Sequence, residues 1–353
     1  MSGAEPRPGL RDVAPYISPQ LGAAARLNTN ECPHPLPEDV ALEMAEAIRE
    51  LPLHRYPDGQ LRRLRDELAA LHGHRADGTW AANGSNEVLT QLLQAYGGPG
   101  RRALTFEPTY LLHRRICWLT NTELVGGELG DGFLLGSDQV EHAAAAAPDV
   151  VFVCSPNNPT GNAQPVDAIG ALAAALPSSL VVVDEAYGEF SPRTTALPLL
   201  ATQPNVAVVR TFSKAFALAG ARIGYVLTAP SVVEDLQRVR LPYHLSALAQ
   251  TAGIVALRHR REASDVLAAI AGQRDRLLRE LDAIDGVTVY PSDANFVLFV
   301  PPGDPATVWQ GLLDRGVLVR DMTAVVPGAL RVTAGAEHEV DLFLKALGEV
   351  LVR

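Results

Sequence analysis

The sequence of 353 residues contains few cysteines, and none of them lies near another. The three cysteines, Cys32, Cys117 and Cys154, are odd in number and show no C-x-x-C spacing. This pattern excludes a disulfide framework and gives no zinc site. A reducing compartment fits such cysteine usage best, and we expect a cytoplasmic protein.

Positive charge is also scarce, and long apolar runs are missing. Lys and Arg number 30 against 40 Asp and Glu, which gives a formal net charge of -10. A chain with this balance is repelled by a phosphate backbone, so we expect no nucleic-acid partner. No apolar run reaches the length of a membrane helix, and residues 1–16 lack the apolar core of a signal peptide. We therefore expect a soluble protein that does not bind membranes.

What the chain does contain is the composition of an ordinary globular protein, with 47% apolar and 20% charged residues. Its length exceeds what one hydrophobic core usually supports. Short β-branched runs alternate with amphipathic stretches, which predicts an α/β fold with a mostly parallel sheet flanked by helices. Expected strands are residues 103–106, 150–154, 180–183, 206–210 and 223–227, and expected crossover helices are 86–96 and 166–176.

The pattern changes after residue 245 to long helical stretches followed by short strands at 287–290, 295–300 and 330–333. This predicts a smaller α+β domain over residues 246–353, beside a large domain over residues 36–245. Residues 1–35 are rich in Pro, Gly and Asn. We expect them to form an N-terminal arm that closes over another part of the molecule and lies outside the main sheet.

A lysine follows one of the expected strands in a setting suited to an aldehyde cofactor. Lys214 comes directly after Thr211 and Ser213, and Arg222 follows eight positions later. A lysine amine can attack an aldehyde to form an imine, while the hydroxyls and the guanidinium can bind a phosphate of the same cofactor. Taken alone, the segment would also suit a surface lysine after a strand.

A carboxylate follows another expected strand. The run at 180–183 delivers Asp184 to the carboxyl end of the sheet, where open α/β sheets bind ligands. If Asp184 faces a pyridine nitrogen, it keeps that nitrogen protonated, and Tyr187 can donate to a ring phenolate. The alternative is that Asp184 only caps the following turn.

Two polar turns complete the set. Asn158 lies in the turn at residues 155–161, directly after an expected strand, and its amide can donate a hydrogen bond to a phenolate oxygen. Ser85 and Asn86 open the helix expected at 86–96, and backbone N–H groups at a helix start bind phosphate. Helix capping by Ser85 or Asn86 is the simpler interpretation, and the two roles are compatible.

Together and in this order, these segments resemble the fold-type I aminotransferases, which use pyridoxal 5'-phosphate. The resemblance covers almost the whole chain. Its most specific parts are residues 210–222, the Asn-Asn-Pro-Thr-Gly turn at 157–161 and the run Asp-Glu-Ala-Tyr at 184–187. It implies a large cofactor-binding domain with a mostly parallel central sheet, a smaller α+β domain and an aminotransferase activity.

The resemblance also implies a role for each matched residue. Lys214 is the lysine that carries the cofactor as a Schiff base and shuttles protons. Asp184 pairs with the pyridine nitrogen, Asn158 and Tyr187 bind the phenolate, and Tyr110 stacks on the ring. The implied phosphate ligands are Ser85, Asn86, Thr211, Ser213, Arg222 and, from a second subunit, Tyr56. The contribution of Tyr56 implies a homodimer with shared active sites.

For the substrates, the resemblance implies that Arg331 grips a carboxylate and that Arg320 binds a second anion. Tyr16 and Asn30 match the arm that covers the substrate. Two arginines let one pocket take glutamate or 2-oxoglutarate as well as histidinol phosphate. The implied reaction converts histidinol phosphate and 2-oxoglutarate to imidazole acetol phosphate and glutamate, in histidine biosynthesis. The alternative is that Arg320 and Arg331 are ordinary surface arginines.

Two departures from the family pattern bear on the substrate. Cys32 stands where the family usually has an asparagine, and residues 111–118 are bulkier and more basic than expected. A transaminase for aromatic or other amino acids therefore stays open. A non-catalytic ligand sensor of the same fold is disfavoured, because the chain has both Lys214 and Asp184 and no attached DNA-binding segment. An NAD-dependent dehydrogenase is disfavoured, because this chain has no G-x-G-x-x-G turn after an early strand. His72, His74 and His113 show no metal spacing, and we interpret them as ordinary core or surface histidines.

Overall fold

The structure, a computed structural model, describes residues 3–15, 20–191 and 194–352. Their strands form two sheets. In chain order the strands are β1 (Ala25–Leu27), β2 (Thr79–Ala82), β3 (Arg102–Glu107), β4 (Glu123–Glu128), β5 (Val150–Cys154), β6 (Leu180–Asp184), β7 (Val206–Thr211), β8 (Gly224–Leu227), β9 (Thr288–Val289), β10 (Phe296–Val300), β11 (Val317–Asp321) and β12 (Leu330–Thr333).

Helices connect and cover these strands. In chain order they are α1 (Glu38–Arg49), α2 (Arg62–His72), α3 (Ser85–Tyr96), α4 (Leu111–Thr120), α5 (Ser137–Ala146), α6 (Val166–Ala175), α7 (Pro230–Val239), α8 (Ala247–Arg258), α9 (Arg260–Asp282), α10 (Pro305–Asp314) and α11 (Glu337–Leu351). Short 3₁₀ turns lie between several of them. Within the described part of the chain, no helix is both long and apolar enough to cross a bilayer.

The larger sheet has the strand order β2-β8-β7-β6-β5-β3-β4. Strands β3 to β7 pair in parallel, and β8 runs antiparallel to both of its neighbours. Every residue of β5, β6 and β7 is buried, because apolar clusters cover both faces of the sheet. The mostly parallel sheet predicted from the sequence is confirmed, and the carboxyl ends of its parallel strands meet at one edge.

The predicted strands of this sheet are confirmed to within one residue at each end, but two strands were missed. β4 lies at the edge of the sheet, carries two glycines and alternates between half-buried and exposed residues. Edge strands of this kind lack the continuous apolar run that marks a buried strand. β2 reads Thr-Trp-Ala-Ala, and alanine has a low preference for strands.

The smaller sheet has the order β1-β11-β12-β10-β9 and combines both ends of the sequence. β1 runs parallel to β11, with Ala25 opposite Val317. Asn28, Thr29 and Asn30 follow β1 directly. Asn30 has a φ of 54°, a left-handed conformation that asparagine tolerates better than most residues. The N-terminal segment therefore reaches the edge of the larger sheet from the smaller one.

Candidate active site

A cavity of about 320 Å³ opens at the carboxyl ends of the parallel strands, a size typical of small-molecule sites. Residues of both sheets line it. It contains most of the residues that the sequence singled out: Asn30, Ser85, Asn86, Tyr110, Asn158, Asp184, Tyr187, Thr211, Ser213, Lys214, Arg222, Arg320 and Arg331. Tyr16 lies outside the described residues. Tyr56 lies outside this cavity.

Lys214 follows β7 and points toward the N-terminal segment. Its Nζ donates a hydrogen bond to the carbonyl oxygen of Thr29 at 3.0 Å. Burial, aided by the charges of Arg331 and Arg222, lowers the pKa of Lys214 to about 8, although the charge of Glu31 opposes the shift. A lysine with this pKa has a substantial neutral fraction near neutral pH, and the neutral amine is the nucleophile.

Asp184 ends β6 and is buried, with 2% of its surface exposed. One carboxylate oxygen lies 3.2 Å from Nε2 of His113, and the other accepts a hydrogen bond from the backbone N–H of Ala186 at 3.3 Å. The contact with Ala186 is the turn cap that was the alternative interpretation. The side chain nevertheless lines the cavity, so capping does not preclude a role there.

His113 is one site residue that sequence reasoning missed, because it was interpreted only as an ordinary histidine. It is fully buried, stacks on Phe152 at 4.6 Å between ring centroids, and meets the edge of Tyr110 at 5.5 Å. Its three-residue spacing from Tyr110 could have indicated that both rings reach the same site. No cluster of metal-ligating side chains occurs among the residues described.

Tyr187 receives two amide donors at its hydroxyl. Nδ2 of Asn30 lies 3.0 Å from its Oη, and Nδ2 of Asn158 lies 3.4 Å away. Burial raises the pKa of Tyr187 to about 12, against the opposing effects of Arg331 and Asn30. Tyr187 is thus a protonated phenol that can donate a hydrogen bond.

The two asparagines of the turn after β5 have different roles. Asn157 holds the scaffold: its Nδ2 donates to the carbonyl oxygen of Pro108, and its Oδ1 accepts from the hydroxyl of Thr109, at 2.8 and 3.0 Å. Asn158 instead faces the cavity, where its Oδ1 accepts from Arg331. The rigid turn therefore ties two loops together and presents one amide to the site.

An anion cradle forms where the loop after β7 meets the start of α3. Nη1 of Arg222 donates to Oγ of Ser213 at 3.3 Å, and Thr211 donates to the same Oγ at 3.0 Å. Gly84 has a φ of +86°, and a Cβ there would lie 2.6 Å from Nη2 of Arg222. A guanidinium, two hydroxyls and the N-terminus of α3, at Ser85, meet in this space, which suits a phosphate.

The two candidate substrate arginines lie opposite each other on neighbouring strands. Arg320 of β11 and Arg331 of β12 are Cα partners across an antiparallel pair. Nη2 of Arg331 donates to the carbonyl oxygen of Asn28 at 3.0 Å, and its guanidinium lies 5.0 Å from the ring of Phe296. These contacts fix Arg331 at the cavity wall.

Two other residues lie away from the cavity. Tyr56 is 80% exposed and stacks on Tyr243 at 4.3 Å, so it takes no part in the cavity of its own chain. Cys32 is half-buried, its thiol donates to the carbonyl oxygen of His34, and burial raises its pKa. Its neighbour Glu31, which sequence reasoning did not single out, lines the cavity instead.

Known proteins are similar to this chain in sequence and in fold. The model of the family described as aminotransferase class I and II matches residues 24–347. A histidinol-phosphate aminotransferase of Frankia casuarinae is 48% identical, over 99% of this chain and 94% of that protein. One of Mycolicibacterium smegmatis is also 48% identical, over 98% and 93%. A solved histidinol-phosphate aminotransferase of Sinorhizobium meliloti, in complex with pyridoxal 5'-phosphate, has a TM-score of 0.89 at 27% identity and covers 99% of both chains.

The two sheets and the cavity define a fold-type I pyridoxal-phosphate transferase, as the resemblance implied. The chain belongs to the class I and II aminotransferases. The residues around the cavity fit the cofactor of this family, since one cavity combines an anion cradle, a buried carboxylate, a lysine amine and a phenol.

Proposed function

We propose that this chain is a transaminase that converts L-histidinol phosphate and 2-oxoglutarate to imidazole acetol phosphate and L-glutamate, as a step of histidine biosynthesis. Relatives that carry the corresponding name align with nearly the whole chain at 45–48% identity. The single observation that carries the proposal is the pairing of Lys214 with two cavity-lining arginines, Arg320 and Arg331.

The cofactor is pyridoxal 5'-phosphate, which when bound supplies an aldehyde that takes up the amino group and a ring that withdraws electrons from the substrate. Lys214 is the amine that would hold it and would carry the proton between substrate and cofactor carbons. Asp184 would hold the pyridine nitrogen protonated. His113 would hold Asp184 in turn, since it lies 3.2 Å from the carboxylate.

Other residues of the site would orient the cofactor and exclude water. Tyr187 and Asn158 would bind the phenolate oxygen, and the cradle of Arg222 and Ser213 would bind the phosphate. Tyr110 would cover one face of the ring, held by its contact with His113. Ser85, Asn86 and Thr211 would complete the phosphate site.

The arginines account for the use of two unlike substrates in one pocket. Arg331 would meet the α-carboxylate of glutamate, for which a guanidinium fork is well shaped. Arg320 would meet the distal carboxylate of glutamate or the phosphate of histidinol phosphate. Asn30, and Tyr16 outside the described residues, would close over the substrate.

A half-reaction screen tests the substrate assignment. The holoenzyme is mixed with histidinol phosphate, glutamate, phenylalanine or tyrosine, and the change in cofactor absorbance gives kcat/KM for each. We expect high values for histidinol phosphate and glutamate. A preference for phenylalanine or tyrosine over histidinol phosphate would overturn the proposal and favour an aromatic transaminase.

A variant sharpens this test. Arg320→Leu removes a charge-assisted contact of about 1.5–3 kcal/mol from both anionic substrates. We expect kcat/KM to fall by roughly ten- to a hundred-fold for histidinol phosphate and for glutamate. Phenylalanine makes no such contact and serves as the internal control, whose turnover changes little.

We further propose that the enzyme is a homodimer whose subunits share active sites. Tyr56 is 80% exposed and stacks on Tyr243, and Leu241 and Leu53, close to them in the sequence, are 75% and 62% exposed. Large exposed apolar side chains of this kind are typical of an interface. Tyr56 would then reach the phosphate site of the second subunit.

We also make two coarser proposals about the chain. The N-terminal arm (1–35), a large domain (36–245) and a small domain (246–353) form its units, with β1 of the arm in the smaller sheet. The protein acts in the cytoplasm. Proteolysis of the holoenzyme would cut first near the boundaries at 35 and 245 if the division is right.

A further inference from the structure

The described lining of the cavity carries four cationic side chains and two carboxylates. The cations are Lys214, Arg222, Arg320 and Arg331. Of the carboxylates, Asp184 is buried and already held by His113. Glu31 is the other, and its side chain is exposed to solvent at the cavity wall.

The segment that carries Glu31 is well fixed. The hydroxyl of Thr29 donates to Oε2 of Glu31 at 2.9 Å, and the carbonyl oxygen of Thr29 accepts from Lys214. The next residue, Asn30, is held through its backbone N–H by Thr333 at 3.0 Å. The carboxylate is therefore positioned by its own short segment and by contacts with both sheets.

The charge of Glu31 acts on Lys214, the amine at the reacting end of the site. It raises the pKa of Lys214 against the lowering effect of burial, so the carboxylate lies within electrostatic reach of that amine. A substrate that binds with its amino group beside Lys214 would thus bring its neighbouring groups toward Glu31. A carboxylate there can accept a hydrogen bond from a donor on the substrate.

Resting on the proposed function, we propose that Glu31 accepts a hydrogen bond from the imidazole N–H of histidinol phosphate and so selects for that substrate. Arg320 would meet an anionic group in histidinol phosphate and in glutamate alike, and neither arginine recognises a ring. Imidazole offers an N–H donor that a phenyl ring lacks. A site built to hydrogen-bond a substrate group discriminates strongly against an analogue without it.

Loss of the Glu31 charge should affect the half-reactions of histidinol phosphate and glutamate in different directions. Glutamate is an anion with no donor at the position of the ring, so Glu31 can only repel it. Removal of the charge should leave the glutamate half-reaction unchanged or faster. The same removal should slow the half-reaction of histidinol phosphate.

The test compares Glu31→Gln with the wild-type holoenzyme in three half-reactions. The amino donors are histidinol phosphate, glutamate and phenylalaninol phosphate, in which a phenyl ring replaces imidazole. We expect kcat/KM for histidinol phosphate to fall by about ten- to a hundred-fold, the effect of one charge-assisted hydrogen bond. The values for phenylalaninol phosphate and glutamate should not fall, so the preference for imidazole over phenyl collapses.

Two further variants serve as controls. Glu31→Asp keeps a carboxylate and should restore part of the preference. Glu38→Gln removes an exposed carboxylate seven residues away, at the start of α1, and should change none of the three half-reactions.

Two outcomes would overturn the inference in distinguishable ways. Suppose that the wild type uses histidinol phosphate, but that Glu31→Gln leaves kcat/KM for all three donors unchanged or lowers it equally. Glu31 then does not recognise the imidazole. An equal loss would indicate an effect through Lys214 or on the fold. If the wild type does not use histidinol phosphate at all, the proposed function fails and the inference fails with it.

Discussion

Lys214 is one of only two lysines in the chain, and the other is Lys345. Because burial lowers its pKa to about 8, its amine is largely neutral above that pH. In the cofactor-free protein we expect acylation of Lys214 by an amine-selective reagent to accelerate as pH rises through about 8. Peptide masses after brief labelling at a series of pH values give the midpoint. A midpoint near the ordinary value of 10.5 would contradict the prediction.

Asp184 and His113 form a deeply buried polar pair in the site. We expect His113→Ala to lower kcat and weaken cofactor binding, because it leaves a buried carboxylate without its side-chain partner, at a cost of roughly 1–3 kcal/mol. His113→Gln retains a donor and should recover part of the loss. The measurements are cofactor titration of the apoprotein and kcat at saturating cofactor. Equal effects of Ala and Gln would show that only packing on Phe152 matters.

At the scale of elements, the close contact between β8 and the start of α3 shapes the anion cradle. A Cβ at Gly224 would lie 2.0 Å from the backbone nitrogen of Ser85, so one of the two elements must move. We expect Gly224→Ala to lower the free energy of unfolding by about 1–3 kcal/mol, as overpacking usually does, and to weaken phosphate binding. Denaturant unfolding and cofactor titration measure the two effects.

Gly220→Ala is the matched control for this variant. Gly220 lies four residues earlier in the same segment, and a Cβ there meets no atom within 4 Å. We expect it to leave stability and cofactor affinity close to those of the wild type. If both alanine variants behave alike, the approach of β8 to α3 is not what holds the cradle.

The sequence predicted the buried parallel strands well, because β5 is a continuous apolar run followed directly by Ser155 and β6 is one that ends at Asp184. It also singled out Asn158 and Asp184 at the ends of these two strands, and both line the cavity. It could not predict His113 as a partner of Asp184, since that contact joins α4 to β6 across 71 positions. Contacts between distant segments leave no local pattern in a single sequence.

Glu31 and β1 were missed for the same reason. Nothing within residues 25–31 indicates that their partners are β11 and Lys214, far along the chain. The arm was expected to cover the site, and the structure adds that Ala25–Leu27 is a strand of the smaller sheet.

At the scale of the whole molecule, the exposed Tyr56 gives a test of the proposed dimer. Lys214→Ala and Tyr56→Ala homodimers are each expected to be impaired, the first completely. In a mixed dimer, the site with an intact Lys214 would receive Tyr56 from the other subunit and be native. Activity should therefore reappear when the two variants are unfolded together and refolded.

The mixing experiment gives the opposite result if the active sites are not shared. If Tyr56 acts within its own chain, the site with Lys214 stays impaired in the mixed dimer, and no activity returns. Co-refolded wild type and Lys214→Ala serve as the control for the yield of refolding.

Because β1 pairs with β11, the order in which these strands assemble differs from the order in which they are synthesised. Ala25 leaves the ribosome long before Val317, its partner, is made. Strands β3 to β7 can pair with near neighbours while the chain is still growing, whereas long-range pairing comes late. Asn28 and Asn30 are anchored by Arg331 and Thr333, which emerge later still. Residues 25–30 are thus translated before their partners and are among the last to pack, and an interrupted chain has no finished pocket in which to hold a cofactor.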